Sequence, residues 1–423
     1  MDVIIVGAGV GGLTLALALR QAGIPCRVFE AAEALRPVGV GINILPHAAR
    51  VLSALGLEAA LSRAAIATRE AVFFNRFGQL IYREPLGRHA GYDFPQFSIH
   101  RGDLQQVLLD AFLERVGTDR LHTAHRCTGF AQEGTGVTVF FDNASGTTAL
   151  PRQRGSLLVA CDGLHSVVRM QLHPEEGEPR YSGVNMWRGT TRWTPILTGA
   201  SMIRAGWLAG GKMVIYPIRD RVDGTELQLV NWVAEIATPY HQQRDWNRRG
   251  QLADFLPAFA DWHFDWLDVP AFLRAADAIL EFPMIDQDPL PWWSRGHVTL
   301  LGDAAHPMVP RGSNGAGQAI LDARALADCL AKHDDVMAAL RAYEALRLKA
   351  TAAVVLANRR NPPDAILREV FERTGDRPFA QIEDVISDQE IRALSDGYKQ
   401  VAGYARPMDN DAHSEGGQHE ASS

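Results

Sequence analysis

Cysteine is scarce in this chain. Four residues (Cys26, Cys127, Cys161, Cys329) are spread over 423 positions, with no C-x-x-C among them. That spacing excludes a disulfide scaffold or a zinc framework; the four read as reduced, mostly buried thiols of a cytoplasmic protein. Basic charge is also short: 42 Lys+Arg face 49 Asp+Glu, a net charge of −7. An acidic surface does not attract phosphate backbones, so nucleic acid is not an expected partner. The fourteen histidines form no H-x-x-x-H or H-E-x-x-H pattern, and no metal site is expected. Long apolar runs are missing too. The one uncharged stretch of note, residues 3–19, is broken by four glycines and is short for a bilayer. Asp2 stands where a signal peptide would be basic. Neither a membrane nor an export role is expected.

What is present is ordinary globular material, 47% hydrophobic and 22% charged. The length suggests two or three domains. VIIVG reads as a strand buried on both faces, LTLALALRQA as a helix stopped by Gly23, and CRVFE as the next strand, ending on Glu30. A helix is expected over 101–117, burying Leu104, Val107, Leu108, Ala111 and Phe112 on one face. Short strands follow over 120–150, then the strand SLLVACDG with a turn at Asp162 and Gly163. From about 180 to 285 tryptophan and tyrosine become frequent, and the pattern predicts a mostly antiparallel sheet with one helix near 250–260. The tryptophans of 261–269 and 292–293 read as packing. HVTLLGD restores the buried-strand texture. Helices are expected over 315–332 and 335–360, the second ended by Asn361-Pro362-Pro363. The stretch 361–405 reads as a helical segment. The last eighteen residues, 406–423, lack Leu, Ile, Val and aromatics and read as disordered.

Two glycine clusters carry the chemistry. Gly7, Gly9 and Gly12 form G-x-G-x-x-G between a strand and a helix. The first permits a tight turn, the second lets backbone approach a pyrophosphate, and the third lets the helix pack on the strand. Glu30, eighteen residues beyond Gly12, can accept hydrogen bonds from ribose hydroxyls. The second cluster lies in LLGDAAHPMVPRGSNGAGQAI. Asp303 ends a strand there, and Gly312, Gly315 and Gly317 precede a helix. An Asp at a strand tip can hold a polyol. A glycine loop at a helix start can approach a flat ring and stabilise negative charge on it.

These motifs, taken in order, resemble the group A FAD-dependent aromatic hydroxylases, the p-hydroxybenzoate hydroxylase superfamily. GAGVGG with Glu30 resembles the ADP-binding fingerprint. CDGLHSVVR (161–169) resembles the family's motif linked to FAD and reduced nicotinamide, GDAAHPMVP (302–310) its ribityl-binding motif, and HRGDLQQVLL (100–109) its phosphate-approaching helix start. The resemblance spans roughly residues 1–360. RPVGVGINILPHA, PQFSIHRGDLQ, MWRGTT and NWV look closest to the family's phenazine-modifying branch, the 5-methylphenazine-1-carboxylate 1-monooxygenases. The resemblance implies that Glu30 binds the adenosine ribose, Arg101 the pyrophosphate and Asp303 the ribityl chain. It places Asp162, Gly163 and Pro310 along the cofactor, the amides of Gly315 and Ala316 at the flavin pyrimidine edge, and Val40 and Gly41 beside the isoalloxazine.

Substrate residues are open to two readings each. Tyr216, ending a strand before Pro217, either polarises a phenol or ring nitrogen or is plain core. Arg188 pairs with a substrate carboxylate or with an internal acid. His47 and His306, in loops facing the flavin, either move protons or are hydrogen-bonded structural residues. Tyr216, His47 and Arg188 are the catalytic candidates.

The expected fold class is α/β with an α+β insertion: a Rossmann-like FAD-binding domain (1–75, 95–180, 286–360) and a mostly antiparallel β-sheet substrate domain (76–94, 181–285), the p-hydroxybenzoate hydroxylase fold. The expected activity is a monooxygenase, monomer or homodimer, using FAD, NADH or NADPH and O2 to hydroxylate a small aromatic or N-heteroaromatic substrate through a flavin C4a-hydroperoxide. With one G-x-G-x-x-G only, the nicotinamide visits without a domain of its own. The rivals are a reductase or oxidase on the same fold, or a flavin-binding redox sensor without turnover. Flavin halogenases carry G-W-x-W-x-I-P; the nearest text here is GWLAGG at 206–211.

Overall fold

A computed structural model describes residues 1–36, 39–238, 248–360 and 362–406. Short β-branched runs build its first layer. Val3–Val6, Leu157–Ala160 and Val298–Leu300 are buried throughout, as strands covered on both faces must be. They belong to a six-stranded sheet ordered 294–295, 298–300, 157–160, 3–6, 26–29, 121–122. Its pairings are parallel except the edge hairpin 294–295/298–300. The helix Val10–Gln21 packs against both Arg101–Arg115 and Gly315–Lys332, and the latter against Val336–Arg360. The 101–117 expectation holds to within two residues. Leu104, Leu108, Ala111 and Phe112 are buried, with Val107 partly so. Gly23 takes a positive φ of 74° just past the first helix, the backbone that lets a helix stop there.

The second layer is an eight-stranded sheet ordered 248–249, 276–286, 180–193, 228–237, 212–219, 201–206, 70–74, 80–85. It is antiparallel except between 201–206 and 70–74. Glu70–Phe74, on the near side of the expected boundary at 75, therefore hydrogen-bonds within this sheet. Side chains alternate between its faces. Trp187, Val230, Trp232 and Ala234 point to an apolar cluster shared with Phe255, Phe259, Trp262 and Phe272. Its opposite face carries Arg188, Arg204, Lys212, Tyr216, Asn231 and Glu235, neighbours through the strand register. The aromatic richness of 180–285 thus serves mainly a core, not a pocket.

The helix expected near 250–260 is one α-turn, Leu252–Phe255, continued as a 3-10 turn through Pro257. A further helix, Val269–Arg274, was not expected; Asp268 caps it by accepting from Ala271 N at 2.8 Å. The second long helix runs Val336–Arg360. Asn361 lies outside the described residues. Helices Ala365–Thr374 and Asp388–Ala402 follow, the latter opened by a Ser387/Glu390 capping box. Ile366, Leu367, Val370 and Ile391 pack on Ala71, Phe73 and Ile81 at one end of the large sheet. Of the expected disordered tail, 407–423 lies outside the described residues, while Arg406 donates to the Ala90 carbonyl at 2.7 Å.

Candidate functional site

The first glycine cluster is built as its residue types require. Gly7 has φ 101°, and a Cβ there would lie 2.3 Å from the Cys161 carbonyl oxygen; at Gly12 it would lie 2.0 Å from that of Gly7. At Gly9 a Cβ meets nothing within 4 Å. Gly9 heads the Val10–Gln21 helix with no side-chain cap and no acid in its first turn, so free N–H groups look onto open space. Glu30 closes one side: its carboxylate accepts from Ala8 N at 2.8 Å and from Ala32 N at 2.9 Å. Arg101 begins its helix beside Gly39, whose missing Cβ would sit 3.5 Å from the Arg101 Cδ. His100 fixes this start. Its Nδ1 accepts from Gly102 N at 3.1 Å, so Nε2 is the protonated nitrogen and donates to Gly39 O at 3.0 Å.

The second cluster begins at the tip of Val298–Leu300. Asp303 is exposed, with a carboxylate oxygen 3.8 Å from where a Cβ on Gly315 would be. Gly315–Lys332 also starts without a side-chain cap or a first-turn acid. Pro310 is exposed beside it and Ala316 half-buried. Two buried groups hold this loop: Arg169, to which sequence reasoning assigned no role of its own, and His306, whose hydrogen-bonded structural reading is the one the structure bears out. Arg169, the last residue of CDGLHSVVR, is buried and donates from Nη1 to the carbonyls of Ala304 and Ala305, both at 2.9 Å, and from Nε to Glu176 at 2.7 Å. It ties one motif to the other. His306 bonds Asp322 at 2.5 Å, and Asp322 accepts from Arg347 at 2.7 Å and from Gly302 N at 3.2 Å. Burial opposes the Asp322 charge, but His306 and Arg347 outweigh it and hold the carboxyl below its usual range. His306 is an anchor of the loop.

Asp162 accepts from Val167 N at 3.1 Å with one oxygen, while the other is buried without a partner. Burial pushes its carboxyl up to about 6, against the hydrogen bonds it receives. Gly163, at φ 78°, has open space above it.

Between the clusters runs Gly41–Ile44. Val40 is buried and its carbonyl accepts from Arg101 N at 3.0 Å. Gly41 is gripped from both sides of its peptide: its N donates to Asn231 Oδ1 at 2.7 Å, and its carbonyl accepts from Arg188 Nη2 at 2.8 Å. A Cβ on Gly41 would come 2.7 Å from both Asn231 and Tyr216. Arg188 and Tyr216 therefore meet at this strand. Burial lowers the guanidinium and raises the phenol from their ordinary values, and each partly stabilises the other's charge. Asn231 was missed because one amide in an apolar strand gives no signal of a partner 190 residues away. His47 lies apart from this pair, against Gly317 and stacked on Tyr404 at 5.4 Å between ring centroids. Burial, with Arg347 and Arg50 nearby, pushes its imidazole down to about 3, so it is neutral near pH 7.

A small cleft opens where the second glycine loop (Gly312, Ser313) meets the large sheet (Phe73, Arg204) and the C-terminal segment (Tyr398, Tyr404). The last of these contributions was missed, because the segment after 360 carried no motif.

Two uncapped helix starts, a fixed carboxylate at a strand end, an exposed Asp at another and a cradle that Cβ atoms would fill suit a dinucleotide carrying a polyol and a flat ring. The fold and this site together define a flavin-binding oxidoreductase of the p-hydroxybenzoate hydroxylase type. The comparisons agree. Residues 1–244 and 285–358 match the family model described as FAD binding domain. The phenazine 1,6-dicarboxylic acid hydroxylase PhzS of Lysobacter antibioticus is 42% identical over 95% of this chain and 97% of its own length. The 3-amino-4-hydroxybenzoate 2-monooxygenase PtmB3 of Streptomyces platensis is 37% identical over 81% of this chain and 83% of its own. Klebsiella pneumoniae HpxO, solved with FAD and uric acid, superposes with a TM-score of 0.78 at 25% identity, covering 96% of this chain and 97% of that one. The chain belongs to the FAD-dependent aromatic hydroxylases, and FAD is its cofactor.

Proposed function

We propose that this chain uses NAD(P)H and O2 to hydroxylate an aromatic carboxylic acid of phenazine-like or smaller N-heteroaromatic type. The observation that carries the reading is the cleft, where the flavin-side loop meets Phe73, Tyr398, Tyr404 and the buried cation Arg204. Rings line it for a flat ligand, and the buried cations clustered at its wall, Arg204 and Lys212 with Arg311 beside them, suit an anionic one. The 42% identity to a hydroxylase of a phenazine dicarboxylic acid supports the same class.

FAD supplies the redox and oxygen chemistry when bound. The chain's own residues hold and screen it. Glu30 takes the ribose, Arg101 and the amides after Gly9 the pyrophosphate, and Asp303 the ribityl chain. The Gly315 and Ala316 amides face the ring edge, with Asp162, Gly163 and Pro310 alongside. Arg188 and Asn231 keep the Val40–Gly41 backbone in register, and Tyr216 stands at the same junction. We assign the six-stranded layer to FAD and the large sheet, with strand 70–74 moved into it, to substrate; 362–405 closes the cleft. No helix among the described residues is long and apolar enough to cross a membrane, and the four cysteines are free; we propose a cytoplasmic enzyme that works as a monomer or homodimer.

The test is NAD(P)H oxidation by the yellow holoenzyme with and without a panel of aromatic acids. At least about tenfold stimulation by one acid is expected, roughly 1.4 kcal/mol of barrier. Rapid oxidation that no ligand changes would replace this reading with a plain reductase.

A further inference from the structure

We propose that Arg311 recognises the carboxylate of the aromatic substrate; this deepens the reading above and rests on it. Arg311 lies between Pro310 and Gly312 in the second glycine loop. Two contacts fix that loop. Val309 packs on Val184, Met186 and Met284 of the large sheet. A Cβ on Gly312 would lie 1.9 Å from the Tyr398 hydroxyl. Arg311 is held between them, its side chain only 10% exposed.

The charges around it do not balance. Lys212 is ion-paired with Glu235 at 2.9 Å and with Asp364, and Arg204 lies 2.9 Å from Asp364. Arg311 approaches Glu235 at 3.9 Å, makes no hydrogen bond among the described residues, and leaves that carboxylate's Oε2 buried without a partner. Three cations therefore lie within ion-pair range of two acids, and a fourth, Arg188, held on the Gly41 carbonyl, also feels Glu235. Lys212 sits between both acids and Arg204 is close to one, so the surplus positive charge falls on Arg311. Nearby, Lys399 is matched by Glu84 at 2.8 Å and adds no net charge. A guanidinium this buried and this loosely paired carries a cost that an anion would remove. Gly312 and Ser313, the residues after it, and Arg204, its neighbour in the charge cluster, line the cleft proposed for the ring. A planar carboxylate offers the two oxygens a guanidinium fork binds best.

The experiment uses holoenzyme of wild type, Arg311→Met and Arg311→Lys. The probes are benzoate, nicotinate and phenazine-1-carboxylate, each beside its uncharged carboxamide. Binding is read from the flavin difference spectrum, and FAD content is measured in parallel. Wild type should prefer at least one carboxylate over its carboxamide. Arg311→Met should weaken that carboxylate about tenfold or more while moving the carboxamide by less than about twofold, with Lys in between. A merely structural Arg311 would shift both probes alike, which overturns the proposal. Loss of FAD in Arg311→Met overturns it as well, since the residue would then serve the cofactor. If wild type hydroxylates a carboxylate while Arg311→Met keeps the same preference, the inference fails and the hydroxylase reading stands. If wild type prefers no carboxylate in any pair, the inference falls together with the substrate class.

Discussion

Asp162 carries an oxygen that the folded chain buries and leaves without a partner. Burial raises its folded value from 3.8 to about 6. The sign of its effect follows. The folded protein binds the proton more tightly than the unfolded chain, so the cost is absent below about pH 4, grows as pH rises through 6, and is complete above that. Two units or so correspond to up to about 3 kcal/mol. Flavin-free Asp162→Asn should therefore be more stable than wild type at pH 7.5, with the gap closing towards pH 4. Denaturant midpoints across that range check it, and a gap that ignores pH would refute it. A carboxylate kept at such a cost fits a working site better than a structural one. The sequence showed Asp162 only as part of a motif; the missing partner is a three-dimensional fact. Arg188 shows the same limit. Its type suggested an anion partner, yet it spends a donor on the Gly41 carbonyl, a group no side-chain pattern reveals.

The two neighbouring glycines of the first helix start are separable because they face different things. Gly7 needs its positive φ and abuts backbone, whereas Gly9 is extended at φ −74° and faces open space. Gly9→Ala should leave flavin-free stability within about 0.5 kcal/mol but weaken FAD about tenfold or more, because the added methyl enters the pyrophosphate's approach. Gly7→Ala should destabilise the fold itself by at least about 1–2 kcal/mol, the penalty of a left-handed non-glycine residue. Melting of the flavin-free proteins and FAD titration distinguish them; equal FAD affinity in Gly9→Ala and wild type would remove this helix from the site. Elements were legible where one period ran long. Gly315–Lys332 has the bounds its pattern gave. The short helix Val269–Arg274 was not seen, since six residues hold too few turns for a period, and its start signal, Asp268 with Pro270, was the only trace.

Which surfaces meet is settled only in the whole molecule. The six-stranded layer was readable from its buried runs and glycine turns. The polar face of the large sheet was not, because Arg204, Lys212 and Glu235 alternate with apolar residues as any half-exposed strand would. They are buried instead, by the glycine loop and by Asp364 of the C-terminal segment. Three parts of the chain thus close one cleft, with apolar packing of the terminal helices on Ala71, Phe73 and Ile81 sealing its sheet end. Such closure matters to a hydroxylase, whose activated oxygen is lost as peroxide when water reaches it. The product should accordingly take one oxygen atom from O2 and none from water. A turnover under ¹⁸O₂ with an aromatic acid that stimulates NAD(P)H oxidation, followed by mass measurement of the product, decides the matter. Removing residues after 386 takes Tyr398 and Tyr404 from the cleft wall and should shift the label from product towards hydrogen peroxide, with nicotinamide still consumed. Label found only in peroxide or water with the full chain would make the protein an oxidase, and the sealed cleft would then need another purpose.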